Sequence, residues 1–119
     1  MTKATQAVGG YGERLALRHL IEAGMTPVAR NWRCGIGEVD LILWDGEDVV
    51  FCEVKTRRTA TFGPPAEAVV PSKARRLRRL AAEWIASTGA HPREVRFDVV
   101  SVLPQRRGPA LVTHLRGAF

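Results

Sequence analysis

The chain has 119 residues, of which 45% are apolar and 25% charged, and its 18 Lys and Arg against 12 Asp and Glu give a formal net charge of +6. This length and composition predict one folded domain, residues 1–119, and exclude a disordered chain. No apolar run approaches the roughly 18 residues of a membrane span, and no signal-like stretch follows the polar N-terminus, so we expect a cytoplasmic protein. The Arg-rich excess favours nucleic acid as the partner, ahead of an anionic membrane surface.

The first predicted element is an amphipathic helix over residues 8–23, which Gly24 ends as a C-cap. Glu13 lies at the edge of its apolar face, beside Leu17 and Leu20. A carboxylate turned toward a core requires a partner. Glu13 is therefore either one acid of a site assembled from other elements or a first-turn acid that the helix dipole stabilises.

A strand over Thr26–Cys34 and a glycine-containing turn lead into a predicted hairpin, which is the most informative part of the chain. Its strands cover residues 37–44 and 49–58, and the Asp-Gly dipeptide in residues 45–48 is a strong hairpin signal. Because strand side chains alternate between faces, one face of the first strand is expected to carry four side chains: Glu38, Asp40, Ile42 and Trp44.

The two possible hairpin registers both bring an acid of one strand near an acid of the other. A four-residue loop pairs Trp44 with Val49 and sets Asp40 opposite Glu53, roughly 5 Å away. A two-residue loop pairs Trp44 with Glu47 and makes the two acids diagonal neighbours, about 7–8 Å apart. In either register the two carboxylates share a face.

Two carboxylates this close repel one another unless a cation lies between them. Ligands that are all oxygen suit Mg²⁺ or Mn²⁺. Lys55 points to the same side as Glu53, where an ammonium positions a water or neutralises a phosphate during phosphodiester hydrolysis. The same Glu-x-Lys pattern is also compatible with an ordinary ion pair on a solvated sheet face.

Cations are concentrated after the hairpin. Residues 57–70 lack periodicity and predict a loop beside the acidic face, where substrate contacts are common. A second helix begins at Pro71 and ends before Gly89. Its first turns carry five cations with few compensating acids, which indicates either a phosphate-binding stripe or a solvated face. The candidate nucleic-acid-binding residues are Arg57, Arg58, Lys73, Arg75, Arg76 and Arg79.

The last predicted elements are an interior strand over Glu94–Leu103 and an edge strand over Ala110–Leu115. Asp98 belongs either to the acidic site or to a pair with an arginine, and we favour the structural role. Cys34 and Cys52 lack metal-binding spacing, so no zinc site is expected. The order α-β-β-β-α-β-β predicts an α/β fold, a central mixed five-stranded sheet flanked by helices, with the third and fourth strands parallel.

Several segments together resemble the YraN family, a group of small bacterial proteins that is itself uncharacterised. In chain order they are Gly12-Glu13, Arg30-Asn31-Trp32-Arg33, residues 37–42, residues 51–57, Glu67-Ala68-Val69 with Lys73, and Ala118-Phe119. They extend over essentially the whole chain with compatible spacing. That family is similar to archaeal Holliday-junction resolvases and to the PD-(D/E)-x-K nucleases, so the resemblance implies a restriction-endonuclease-like fold.

The resemblance also implies roles for individual residues. The implied metal ligands and catalytic residues are Asp40, Glu53 and Glu13, with Lys55 as the catalytic lysine. Val39 stands before Asp40 where the general nuclease motif has proline. Glu38 matches the YraN pattern but not the wider nuclease pattern, so its role stays open.

Three functional hypotheses follow. The first is a Mg²⁺- or Mn²⁺-dependent endonuclease acting on DNA in preference to RNA, with branched or junction DNA as a candidate substrate. Cutting a symmetric junction requires two active sites, so a homodimer is expected under this hypothesis. The alternatives are a nucleic-acid-binding module without turnover and an accessory protein of a DNA-processing complex.

Overall fold

The computed structural model describes residues 3–57 and 71–119. The elements are α1 (Lys3–Glu22), β1 (Thr26–Cys34), β2 (Gly37–Asp45), β3 (Asp48–Thr56), α2 (Pro71–Thr88), β4 (Val95–Leu103) and β5 (Leu111–Leu115). The predicted order of elements is therefore confirmed, although α1 begins at Lys3 and not at residue 8. The loop predicted over residues 57–70 lies outside the described residues, apart from Arg57. Among the described residues, neither helix combines the length and the hydrophobicity that a membrane span requires.

The five strands form one mixed sheet in the order β1-β2-β3-β4-β5. Strands β3 and β4, which α2 connects, are parallel, and the other neighbouring pairs are antiparallel. This is the predicted arrangement, with β4 inside the sheet and β5 at its edge. A parallel connection requires a crossover, which α2 supplies.

The hairpin of β2 and β3 adopts the register that pairs Trp44 with Val49. Asp45 also pairs with Asp48, so the chain turns at only two residues, and Gly46 has φ +63°, where glycine is favoured. Backbone pairing between these strands extends to Leu41 and Cys52. The next residue on each strand is an acid, and the register places these two residues, Asp40 and Glu53, opposite each other.

Each helix covers one face of the sheet with its own apolar cluster. The α1 cluster contains Ala16, Leu20, Met25, Leu41, Leu43, Val50, Cys52, Val100 and Val102. The α2 cluster contains Val39, Ile42, Val49, Phe51, Leu77, Leu80, Ala81, Trp84 and Phe97. The sheet is thus buried on both faces, which explains why its central strands read as nearly continuous apolar runs.

Strict alternation along β2 fails between Val39 and Ile42. Both side chains pack in the α2 cluster, whereas Leu41 and Leu43 pack in the α1 cluster. Ile42 and Trp44 pack in the α2 cluster, and Glu38 and Asp40 line a pocket beside α2, so these four side chains share one face as expected, and Val39 is the residue that departs from alternation. The departure coincides with the end of the β2–β3 backbone ladder at Leu41 and Cys52, beyond which the Asp40 carboxylate accepts a hydrogen bond from the Val54 N–H.

Asp98 has the structural role that we favoured. It is fully buried in β4 and accepts hydrogen bonds from Arg96 Nε at 2.9 Å and from Gly117 N at 3.0 Å, with His114 Nε2 2.7 Å from its other oxygen. Burial raises the pKa of this carboxyl, but the bonds from His114, Arg96 and Gly117 outweigh it and hold the pKa below its ordinary value. Asp98 therefore ties β4 to β5 and to the C-terminal residues.

Replacing Asp98 with asparagine is expected to lower the free energy of unfolding by about 1–3 kcal/mol at pH 7, because it weakens the buried hydrogen bonds with Arg96 and His114, although Arg96 keeps its ion pair with Asp45. The depressed pKa implies a stabilisation that is present above the unfolded pKa of about 3.9 and is lost as pH falls through the lower folded value. Urea unfolding at several pH values measures this. The exposed pair of Asp48 with Arg93 provides the control, and an equal loss in Asp48→Asn would contradict the assignment.

Gly12 permits a close approach between α1 and the end of β3. A Cβ atom at this position would lie 1.7 Å from Thr56 Oγ1 and 3.0 Å from Thr56 Cβ. A side chain at residue 12 would therefore push α1 away from β3. Because Glu13 is the next residue of α1, this contact also fixes its position relative to the end of β3.

Gly12→Ala is expected to destabilise the protein by about 1–3 kcal/mol, since the added methyl overpacks this contact. Gly10→Ala is the matched control in the same helix, because its nearest neighbour is an arginine side-chain nitrogen at 3.4 Å. We expect that control to be neutral or stabilising through helix propensity. Chemical denaturation measures both changes, and equal stability of the two variants would contradict the close approach.

Candidate functional site

A pocket of about 420 Å³ lies between α2 and the strands β2 and β3. Its apolar side is formed by core residues of α2 and β2. Its polar side carries Glu38, Asp40, Glu53, Ser72, Lys73 and Arg76. The two acids that the hairpin register brought together therefore open onto one space, as predicted, and the basic helix α2 forms the opposite wall.

The Asp40 carboxylate is anchored by a hydrogen bond from the Val54 backbone N–H, 2.8 Å from Oδ2. Burial raises its pKa from the ordinary 3.8 to about 6, although the Val54 bond acts in the opposite direction. The negative charges of three further acids add to the rise: Glu13, Glu53 and Glu38. Asp40 thus lies in a strongly negative, partly desolvated position, which is where a cation is bound most favourably.

The Glu53 carboxylate has two ammonium partners. Lys55 Nζ lies 3.3 Å from Glu53 Oε1, and Lys73 Nζ of α2 contacts the same oxygen. Lys55 is therefore turned toward the acids, as predicted. Lys73, expected as a nucleic-acid contact, lies within the site and closes it from the α2 side.

The two lysines respond differently to this environment. Burial alone would lower the pKa of Lys55, but its hydrogen bond with Lys73 and the attraction of Glu53 raise it above the ordinary value. Burial, together with repulsion from Lys55, lowers the pKa of Lys73 although Glu53 opposes this. Of the two ammoniums, Lys73 therefore loses its proton at the lower pH.

Glu13 has the partner that its position on α1 requires. The Asn31 side-chain amide donates a hydrogen bond to Glu13 Oε2 at 3.2 Å. Asn31 has φ +50°, a left-handed conformation that asparagine tolerates better than most residues. Its neighbours Arg30 and Trp32 pair with Leu41 and Val39, so Asn31 lies beside Asp40 across the β1–β2 ladder.

Reasoning from sequence did not assign a role to Asn31. The available signal was an asparagine inside the predicted strand Thr26–Cys34, where that residue type is unfavourable. In the structure, Asn31 holds the α1 acid Glu13 by a hydrogen bond. Glu13 is close enough to Asp40 for its negative charge to contribute to the raised pKa of Asp40.

The metal-ligand set of Glu13, Asp40 and Glu53 is not assembled as a cluster. Within residues 3–57 and 71–119, no group of three or more His, Cys, Asp and Glu side chains is arranged to hold a metal ion. Glu13 is held by Asn31, and Glu53 by its two lysines. Asp40 and Glu53 both line the pocket, and Mg²⁺ uses one or two carboxylates with water completing its shell. These two donors fit such an ion once Lys73 leaves Glu53.

The remaining predicted site residues fall into two groups. Arg76 lines the pocket with the acids, whereas Arg75 and Arg79 lie on the exposed side of α2. Arg57 directly follows β3, and Arg58 lies outside the described residues. Glu38 also lines the pocket and is paired with Arg33 Nε at 3.4 Å.

Fold and site together define a class: small basic α/β proteins in which a hairpin of a mixed sheet and a basic helix enclose an acidic pocket. The chain belongs to the Uncharacterised protein family UPF0102, which matches residues 12–102. This confirms the resemblance to YraN-like proteins.

Relatives in the same family match nearly the whole chain. The UPF0102 protein of Salinispora arenicola is 62% identical over 119 residues, which is 100% of both chains. That of Beutenbergia cavernae is 57% identical over 115 residues, 97% of this chain and 98% of its own. That of Streptomyces coelicolor is 54% identical over 116 residues, 96% of this chain and 89% of its own. The names of these relatives state the family and no activity.

Asp40→Asn is expected to stabilise the metal-free protein at pH 8 by about 1–3 kcal/mol. A folded pKa of about 6, above the unfolded value near 3.9, means that the charged carboxylate costs stability as pH rises through this window. Asparagine keeps an acceptor for Val54 and removes the charge. Urea unfolding in chelator at pH 4 to 8 measures the effect, which should vanish near pH 4.

The control for this prediction is Glu38→Gln, because Glu38 is exposed at the mouth of the same pocket. We expect little change of stability in that variant at any pH. An Asp40→Asn protein that is less stable than wild type at pH 8 would show that the carboxylate is not under electrostatic stress.

Proposed function

We propose that this protein is a metal-dependent nuclease that hydrolyses phosphodiester bonds of DNA. The observation that carries the proposal is the meeting of Asp40 and Glu53 at one pocket, with the Lys55 ammonium 3.3 Å from Glu53. The two acids lie beside the Lys55 ammonium and near the first turns of the basic helix α2. This arrangement suits an anionic substrate that binds the acids through a divalent ion.

Asp40 and Glu53 are the residues that would hold Mg²⁺ or Mn²⁺, and such an ion supplies charge neutralisation and an activated water. Asp40 is preorganised for this role because the Val54 N–H fixes its orientation. Glu13, held by Asn31, adds to the negative potential at Asp40 from the α1 side.

Lys55 is assigned to the reacting phosphate. Its ammonium donates to a phosphate oxygen or to the attacking water, and it remains protonated because its pKa is raised. Without substrate, the Lys73 ammonium is paired with Glu53. When substrate binds, Lys73 pairs with a phosphate oxygen in place of Glu53, so the ammonium has an anionic partner with and without substrate. Arg75, Arg76 and Arg79 of α2 hold the nucleic-acid backbone.

Branched or junction DNA is the substrate class that we propose to test first, and a homodimer is part of the junction hypothesis, since two strands must be cut. Linear duplex and single-stranded DNA serve as comparison substrates. RNA of the same sequence tests the preference for DNA.

A second candidate function is nucleic-acid binding without turnover. The observation in its favour is that both lysines already satisfy Glu53, while the described residues hold no three-ligand metal group. Under this candidate the acids and lysines form a structural network, and the basic helix retains its affinity for phosphates. A protein that does not bind DNA even at low salt would instead be an accessory protein of a DNA-processing complex.

Wild-type protein with Mn²⁺ is expected to cut at least one of these substrates, and Asp40→Asn and Lys55→Ala are each expected to reduce the rate by about 10²-fold or more. Denaturing gels of end-labelled DNA measure this, with chelator as the metal-free arm. Arg107→Ala, in the exposed loop after β4, is the surface control and should keep full activity.

Activity that persists in both variants or in chelator would reject the metal site. DNA binding that survives Asp40→Asn without cleavage of any substrate would favour the second candidate.

A further inference from the structure

A second pocket, of about 530 Å³, lies next to the acidic pocket on the surface of the protein. It is formed between the β1–β2 turn and the first half of α2. The residues lining it are Gly35, Ile36, Ser72, Arg75, Arg76 and Arg79. No acidic side chain is among them, so the pocket is strongly positive.

The two pockets adjoin one another, because Ser72 and Arg76 line both of them. The surface therefore forms one groove that begins at Asp40 and Glu53, passes Arg76 and ends at Arg79. Charge changes sign along this groove, from carboxylates at one end to guanidinium groups at the other.

Three arginines face the second pocket: Arg75, Arg76 and Arg79. Their spacing of i, i+1 and i+4 places them on one side of the helix, within about 100° of arc. All three are exposed, and within the described residues none forms an ion pair. Guanidinium groups left without an acidic partner in a concave surface are suited to bidentate contacts with phosphate.

We propose that this second pocket binds the phosphodiester backbone of a nucleic-acid strand whose reacting phosphate lies in the acidic pocket. The inference rests on the proposed function and adds a direction to it. Lys73 and Arg79 are separated by roughly 9 Å along the helix axis, at 1.5 Å per residue. With α2 parallel to the duplex axis, an axial rise of about 3.4 Å per nucleotide puts the second contact two to three nucleotides from the first.

The groove extends from the acidic pocket to one side. The strand is therefore bound on one flank of the cut position by α2, and the other flank does not contact these arginines. An enzyme of this shape needs a phosphodiester strand that continues past the reacting bond on that flank, as an endonuclease substrate provides.

The first test is the salt dependence of DNA binding by the full-length chain in chelator, where no cleavage occurs. Fluorescence anisotropy with a labelled DNA duplex gives the slope of log K against log[salt]. Arg75→Gln/Arg79→Gln is expected to reduce the magnitude of this slope by about 1.8, since each lost phosphate contact contributes about 0.9. Glutamine keeps side-chain length and removes charge.

The matched control is Arg78→Gln, because Arg78 is an exposed arginine of the same helix that lines neither pocket. We expect its slope to change by much less than that of the double variant. Circular dichroism spectra and thermal midpoints of the double variant and of the control are expected to equal those of wild type. This result verifies that both variants are folded. Equal slopes for the double variant and wild type would overturn the inference.

The second test locates the contact on the strand. Neutral methylphosphonates are placed one at a time along the labelled strand, and binding is measured for each position. Wild type should lose affinity at two separate groups of positions, of which only the group remote from the acidic pocket becomes insensitive in Arg75→Gln/Arg79→Gln. Sensitivity that remains at the same positions in the double variant would also overturn the inference.

These binding measurements separate this inference from the nuclease proposal. One outcome is that wild type cuts no substrate, while the double variant shows a smaller salt-dependence slope and no sensitivity to the remote methylphosphonates. This outcome would reject the nuclease proposal and support the groove. Cleavage that depends on Asp40 together with unchanged binding slopes would reject the groove alone.

Discussion

The hydrogen bond from the Val54 N–H to the Asp40 carboxylate is the interaction on which the site depends. It forms directly beyond Leu41 and Cys52, the last backbone pair of β2 and β3. The Val54 N–H therefore donates to a side-chain carboxylate and not to a backbone carbonyl of β2. This holds the carboxylate partly buried between the strands, where burial first, and then the charges of other acids, raise its pKa to about 6. The bond itself favours the charged carboxylate, but the position in which it holds Asp40 is one where burial and neighbouring acids destabilise that charge, and a bound cation would relieve this stress.

The helix α2 supplies the opposite charge and connects the core with the site. Its apolar stripe packs against Phe51 and Ile42, which fixes its distance from the sheet. Its first turns consequently bring Lys73 to Glu53 and leave the exposed arginines along the outer groove. One helix therefore sets both the closed arrangement of the acidic pocket and the positive surface beside it.

Several features of this architecture could be predicted because their causes are local. Periodicity defined the helices and strands, and the Asp-Gly turn predicted the hairpin, whose observed register is the one pairing Trp44 with Val49. A parallel pair was expected for β3 and β4 because a helix joins them. For Asp98 the sequence left two roles open, a place in the acidic site or a pair with an arginine, and the favoured structural role is confirmed by its hydrogen bond with Arg96.

What the sequence by itself determined is the order of elements, the position of the hairpin and the family to which the chain belongs, whereas the structure chose between the two hairpin registers. Only the tertiary structure decided that Val39 and Ile42 share a face, that Lys73 contacts Glu53, and that Asn31 holds Glu13. Each of these contacts joins elements distant in the chain or depends on where the β2–β3 ladder opens. Alternation and helical spacing describe one element at a time, so they carry no information about such contacts.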